Sequence, residues 1–297
     1  MNAADLTAGP KWVRSPALKR GRRNDPARFD VQAQGTPRMR ACPTCGTTIA
    51  IPWSRYSPTP WVVAKCVACN LTYLRNPVPY EALEEDFAWE KIHVEKRKLG
   101  GSTPLSATAK KLRTATIGIH RDKTRAYMDW FGRAGHVLDI GCGSRPRAPE
   151  PMVPYGIEIS RSLQAQADAA MRARGGYCVY GAGAEAIWDF DEGQFDGIIM
   201  FSYLEHETDV MRVLRGAHHA LKSGGAAFVR VPNFGSLNRR VIGPKWCGFR
   251  YPDHVNYFTL ATLRDTAWRA GFTATLLNRF TLPVDDNLSV LLRKATA

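Results

Sequence analysis

No stretch of this 297-residue chain approaches eighteen consecutive apolar residues, the length that would read as a membrane-crossing helix. The N-terminus has no apolar signal-peptide core. Cysteine is sparse, with seven in all, too few for a disulfide-dense secreted scaffold. Acid is also in short supply: 27 Asp and Glu face 41 Lys and Arg, leaving a formal charge of +14. The expectation is a soluble, cytoplasmic protein with no membrane partner. A hydrophobic share of 44% excludes a wholly disordered chain. The length suits one large α/β domain with a small module, or two ordinary domains.

The shortage of acid is local. Residues 1–40 carry nine basic side chains and three Asp, and residues 41–80 add three basic ones and no acid. The first eighty residues therefore hold +9, and the remaining 217 hold only +5. Residues 1–38 mix Pro, Gly, Ala and basic side chains without helical or strand period, so they cannot bury enough to offset their ordering entropy. They read as a flexible basic leader.

Residues 39–80 read as a separate module. Cys42 and Cys45 form one Cys-x-x-Cys pair, Cys66 and Cys69 another, and twenty residues lie between the pairs. This spacing fits a closed four-thiolate zinc site, structural because no coordination position is left for water. Gly46 and Asn70, directly after the pairs, can adopt the positive φ that such knuckles need. Two unrelated dithiols are the alternative reading. Trp53, Tyr56, Trp61 and Tyr73 suit core packing around the ribbon better than base stacking. Cys142, Cys178 and Cys247 fall outside the pattern and read as unpaired thiols.

Residues 81–135 read as a helical connector, with an amphipathic helix at 121–131. From 136 to 297 short apolar runs alternate with helical stretches. Strands are expected at 137–140, 155–159, 197–201 and 226–231, with helices at 161–173 and 208–222. This is the pattern of an α/β, doubly wound, mostly parallel sheet. The runs 273–280 and 288–292 have no helix between them, so an antiparallel C-terminal strand is expected at one side.

Strand 137–140 runs into Asp139-Ile140-Gly141-Cys142-Gly143-Ser144, a turn that lets backbone approach a ligand at the carboxyl edge of the sheet. The next strand ends in Glu158, nineteen residues after Asp139 and placed to accept from ribose hydroxyls. A dinucleotide-binding dehydrogenase uses a similar arrangement, but it expects a third Gly and a helix N-terminus on a pyrophosphate. Position 146 is Pro, and Pro149, Pro151 and Pro154 follow, so no helix can form there.

With these blocks the chain resembles the class I S-adenosylmethionine-dependent methyltransferases over residues 136–297. The likeness is to a branch with an N-terminal zinc ribbon, close to the ubiquinone-type O-methyltransferases. Its further blocks are Ser202–His206, Leu221–Gly225, Val231–Asn233, His254–Phe258 and Ala270–Phe272. The resemblance implies that Gly141, Cys142 and Gly143 lie against the methionyl part of the cofactor, with Asp139 helping to hold its amino group. It puts Glu158 on the ribose diol, and Ala184 and Glu185 near the adenine, with Ser202 also against the cofactor. Gly183 stands where many members carry an Asp.

Methyl transfer to a hydroxyl requires alignment and removal of a proton. The resemblance points to His206 as the base, with helix capping or pocket lining as the alternative. His254 is the second candidate, inside an aromatic-rich lid insertion at about 233–258. The expected function is O-methylation of a small-molecule or carbohydrate acceptor, with S-adenosyl-L-methionine as cofactor and Zn2+ as structural ion. An RNA methyltransferase holding nucleic acid by the ribbon and basic leader is the first alternative, and a non-catalytic assembly protein the second. The nearly balanced body and the lack of an Asn-Pro-Pro-Tyr-type block favour the small molecule.

Overall fold

A computed structural model describes residues 39–78 and 123–294. The basic leader, and the connector up to residue 122, lie outside the described residues. Within them, strands are numbered β1–β11 and helices α1–α6 in chain order.

The larger sheet has seven strands in the order β10-β11-β8-β7-β4-β5-β6. Its parallel part comprises β4 (His136–Ile140), β5 (Val153–Glu158), β6 (Cys178–Tyr180), β7 (Phe195–Phe201) and β8 (Leu221–Pro232). The outer strands β10 (Phe272–Leu276) and β11 (Asn287–Lys294) pair antiparallel with each other, and β11 pairs antiparallel with β8. The mostly parallel sheet with an antiparallel C-terminal strand is the expected architecture. Strand order reverses at β4, so the crevice at the carboxyl ends of β4 and β7 is where such sheets bind ligands.

Helices pack where glycine leaves room. A Cβ at Gly197 of β7 would lie 2.3 Å from the Phe131 ring of α1 (Lys123–Phe131), so the helix sits directly on the strand. A Cβ at Gly156 of β5 would lie 2.7 Å from Met171 of α2 (Arg161–Arg172). Ser160 caps α2 by accepting from the Leu163 N–H. Between β4 and β5 the chain forms turns without a helix, as the prolines require.

The cysteine-bearing segment builds a second sheet, β1-β2-β3-β9. Strands β1 (Ala50–Pro52), β2 (Val63–Cys66) and β3 (Thr72–Leu74) come from the N-terminal module. The fourth, β9 (Asn256–Tyr257), belongs to the insertion after β8 and pairs with β3. One apolar cluster joins Tyr56, Trp61, Val63 and Leu74 of the module to Phe234, Trp246, Phe249, Tyr251 and Tyr257 of the insertion. Trp53 packs against that cluster, and Tyr73 is buried in the main core. Arg40, which burial lowers to about 10, ties the two parts together. It donates to the carbonyls of Leu74 at 2.8 Å and Val255 at 2.7 Å, and to Asn256 Oδ1 at 2.9 Å. Among the described residues no helix is long and apolar enough to cross a membrane.

Candidate active site

The four cysteines of the module converge. Cys42 and Cys69 sulfurs are 3.5 Å apart, as are those of Cys45 and Cys66, and all four lie within 4.8 Å of one another. A tetrahedron of ~2.3 Å zinc–sulfur bonds has sulfur–sulfur edges of about 3.8 Å, so the cluster has the right size for one ion. Gly46 and Asn70 have φ of +74° and +62°, and their N–H groups donate to the carbonyls of Cys42 and Cys66. Those turns aim both sulfurs of each pair inward.

A cavity of about 820 Å³ opens at the carboxyl ends of β4, β5 and β7. Ligand pockets span roughly 300–1,000 Å³, so this volume is at the upper end for a small-molecule site. Gly141, Gly143, Glu158, Ala184, Glu185, Ser202, His206 and His254 all line it. Asp139 and Cys142 are not among the lining residues. The Asp139 carboxylate is 1% exposed and taken up by Arg147, whose Nη1 donates to both oxygens at 2.8 and 2.9 Å. The Cys142 thiol turns into the packing between β5 and α2, 3.6 Å from the Cys178 sulfur. Their positions next to the glycines could not reveal this, because side chains alternate across a strand and a loop re-aims them.

The floor of the cavity is set by Gly141 and Tyr203. Gly141 has φ of +68°, and a Cβ there would stand 2.9 Å from the Tyr203 ring. The Tyr203 hydroxyl reaches Gly183, where a Cβ would be only 2.2 Å away, and donates to Glu207. Any side chain at position 183 would collide with the tyrosine. Gly143 has φ of +68° and nothing within 4 Å of an added Cβ, so its backbone faces open space. Glu158 Oε2 accepts from the Gly143 N–H at 2.8 Å and Oε1 from the Ser160 N–H at 3.0 Å. Burial pushes its carboxyl up, and those N–H groups oppose the shift. Ser202, just past β7, holds φ of +54°, an uncommon conformation for a residue with a side chain.

The far wall carries a buried charged cluster. His206 is 4% exposed, and its Nδ1–H donates to Asp253, whose Oδ1 lies at 2.8 Å and main-chain oxygen at 2.9 Å. Two acceptors at Nδ1 fix the tautomer, so neutral His206 carries its lone pair on Nε2. Burial pulls the imidazole down, but the Asp253 carboxylate outweighs this and raises it above the ordinary value. Burial raises Asp253 in turn, but the charges of His206, His254 and Arg250 hold it well below the usual carboxylate range. His254 donates from Nδ1 to the Gly248 carbonyl at 2.9 Å, and burial lowers it to about 3. The two imidazoles meet edge to face with centroids 4.7 Å apart. Burial lifts Glu205 to about 7, and its Oε2 has no partner among the described residues.

Asp253, Tyr203 and Arg147 were not singled out in the sequence. Asp253 adjoins His254, and Tyr203 lies inside the Ser202–His206 block, which are the signals that could have found them. Arg147 had none beyond its place in the proline-rich turn.

Residues 113–277, more than half of the chain, match the family model described as a methyltransferase domain, and the chain belongs to that family. Among solved structures it is similar to an S-adenosylmethionine-dependent methyltransferase from Archaeoglobus fulgidus: 15% identity over 68% of this chain and 99% of that one, with TM-score 0.49. It is also similar to 1,6-didemethyltoxoflavin-N1-methyltransferase from Burkholderia thailandensis, solved with 1,6-didemethyltoxoflavin and S-adenosylhomocysteine bound. That identity is 18%, covering 83% of this chain and 100% of the other, with TM-score 0.46. A putative O-methyltransferase from Nostoc punctiforme shares 19% identity over 58% of this chain and 54% of that one, with TM-score 0.43. The comparison with curated proteins found no match.

Proposed function

We propose that the protein methylates an oxygen of a small-molecule or carbohydrate acceptor, with His206 as the proton acceptor. The carrying observation is the His206–Asp253 dyad on the wall of the same cavity that the Gly141–Gly143 turn and Glu158 line. When bound, S-adenosylmethionine supplies an electrophilic methyl group. Gly141 and Gly143 offer backbone that can approach the methionyl part, and Glu158 offers a carboxylate for the ribose diol. Across the cavity, Asp253 orients His206 so that Nε2 can take the proton of an acceptor hydroxyl. Arg250, Asp286 and Asn287, all on the cavity wall, give a polar lining suited to a hydroxylated acceptor. Cys42, Cys45, Cys66 and Cys69 hold a structural Zn2+, which fastens the insertion that carries Asp253 and His254. The setting is a cytoplasmic one.

Calorimetric titration of the zinc-replete chain with S-adenosylhomocysteine tests the cofactor half. One site per chain is expected, and absence of binding removes the enzyme reading. Gly141→Asp should abolish that binding, because the new side chain collides with Tyr203 and cannot accept φ of +68° without strain. Unchanged affinity in that variant would place the cofactor elsewhere. A screen with methyl-labelled S-adenosylmethionine identifies the acceptor. With it, His206→Ala should keep cofactor affinity and lose about 10²–10⁴ in turnover, and unaltered turnover retires His206 as base.

A further inference from the structure

We propose that Arg147 binds the methionyl carboxylate of the cofactor, a role set up by its pairing with Asp139. The assignment rests on the methyltransferase reading and adds to it the residue that recognises the cofactor's amino-acid end. Arg147 belongs to the proline-rich turn that replaces the first helix, and its guanidinium lies beside the glycine loop, with Nη1 3.3 Å from the Gly141 carbonyl. The same Nη1 holds both Asp139 oxygens, and the Arg147 main-chain N–H adds a third bond at 3.2 Å. Asp139 is therefore held by Arg147 and lies outside the cavity lining.

The geometry leaves the opposite charge facing the ligand. Arg147 lines the cavity with its side chain 31% exposed, while Asp139 is buried behind it at 1%. Phe201 supports the guanidinium face at 5.3 Å. Nε and Nη2 donate to no protein acceptor among the described residues. A planar fork with one nitrogen anchored and two donors uncommitted suits a carboxylate, which such a fork can bind through two parallel bonds. The only carboxylate in S-adenosylmethionine is the methionyl one, at the end of the molecule that the glycine loop receives.

Two thioether ligands separate this role from a purely structural one. S-Adenosylhomocysteine carries the carboxylate, and S-adenosyl-3-thiopropylamine has the same adenosyl and amine groups without it. The wild-type chain should bind the first about tenfold or more tighter than the second, as a charge-assisted bond requires. Arg147→Lys keeps a cation against Asp139 but loses the fork, and should shrink that preference several-fold. Removing Arg147 alone would strand a buried carboxylate, so the companion variant is Asp139→Asn with Arg147→Gln, checked for folding by thermal melting. In it the preference should vanish while affinity for the amine stays within a few-fold. A wild-type chain that does not discriminate, or variants that weaken both ligands equally, would overturn the assignment. A wild-type chain that binds neither ligand refutes the cofactor reading, and this one with it.

Discussion

Cys66→Ser is expected to lower the melting temperature by about 10 °C and to release the bound metal. A thiolate contributes directly to a closed zinc site, and losing one of four should cost two to three decades of zinc affinity. Through linkage that is about 3–4 kcal/mol of stability, at ~2–4 °C per kcal/mol for a domain of this size. The damage should also reach beyond the module, because β3 pairs with β9 and the Leu74 N–H donates to the Val255 carbonyl at 2.9 Å, one residue from His254. The Val255 and Asn256 N–H groups in turn donate to the Glu205 carbonyl at 2.7 and 3.1 Å, so β9 is fastened to the turn that carries His206. The variant should therefore keep its affinity for S-adenosylhomocysteine, which depends on β4, β5 and β7, while the acceptor KM rises tenfold or more. Metal content by mass spectrometry, melting curves and calorimetry read the three effects. A wild-type chain purified with no metal, and a variant with unchanged melting, would refute the zinc assignment.

The parts legible in the sequence were those in which a short segment carries its own geometry. The Gly-x-Gly turn after an apolar strand, the acid ending the next strand and the two Cys-x-x-Cys knuckles each sit within a few residues. Their backbone requirements, such as positive φ at Gly46 and Gly141, are written in residue type. What escaped depends on distant segments meeting. His206 and Asp253 are 47 residues apart and are joined only because the insertion folds back over β7. The β3–β9 pairing rests on a two-residue strand, too short to leave a period in the sequence. Asp139 illustrates a different limit: its position gave no sign that an arginine eight residues on would hold its carboxylate. The prolines at 146, 149, 151 and 154 announced the irregular turn without saying where Arg147 would point.

One basic side chain of the charge excess is absorbed in a similar way. Arg40, at the edge of the basic leader, is spent on internal carbonyls, and the module's aromatic rings are spent on the insertion. Among the described residues these two features attach the cavity wall formed by the insertion to the N-terminal module.

Asp253→Asn should be the most informative change at that wall. The wild-type His206 must be neutral to take a proton, and its raised value means that kcat/KM climbs with pH through an apparent pKa above the ordinary ~6.5 of histidine. Without the carboxylate, burial and Arg250 favour the neutral ring and only Glu205 still opposes them, so the limb moves to lower pH. Turnover should still fall about a hundredfold or more, because the amide no longer stabilises the imidazolium as the proton transfers. Stability follows with opposite signs at its two ends. The raised His206 contributes fully below its unfolded value and loses that contribution as pH rises through the folded one. The lowered Asp253 contributes above its unfolded ~3.9 and loses it as pH falls through its own folded value. The wild-type chain should thus gain stability from the pair between those limits, and Asp253→Asn should flatten the gain. Carbon-13 NMR of labelled histidine follows the His206 titration without any acceptor. A His206 signal that titrates at the same pH in both proteins would show that Asp253 does not tune it, and the proposed base would lose its physical support.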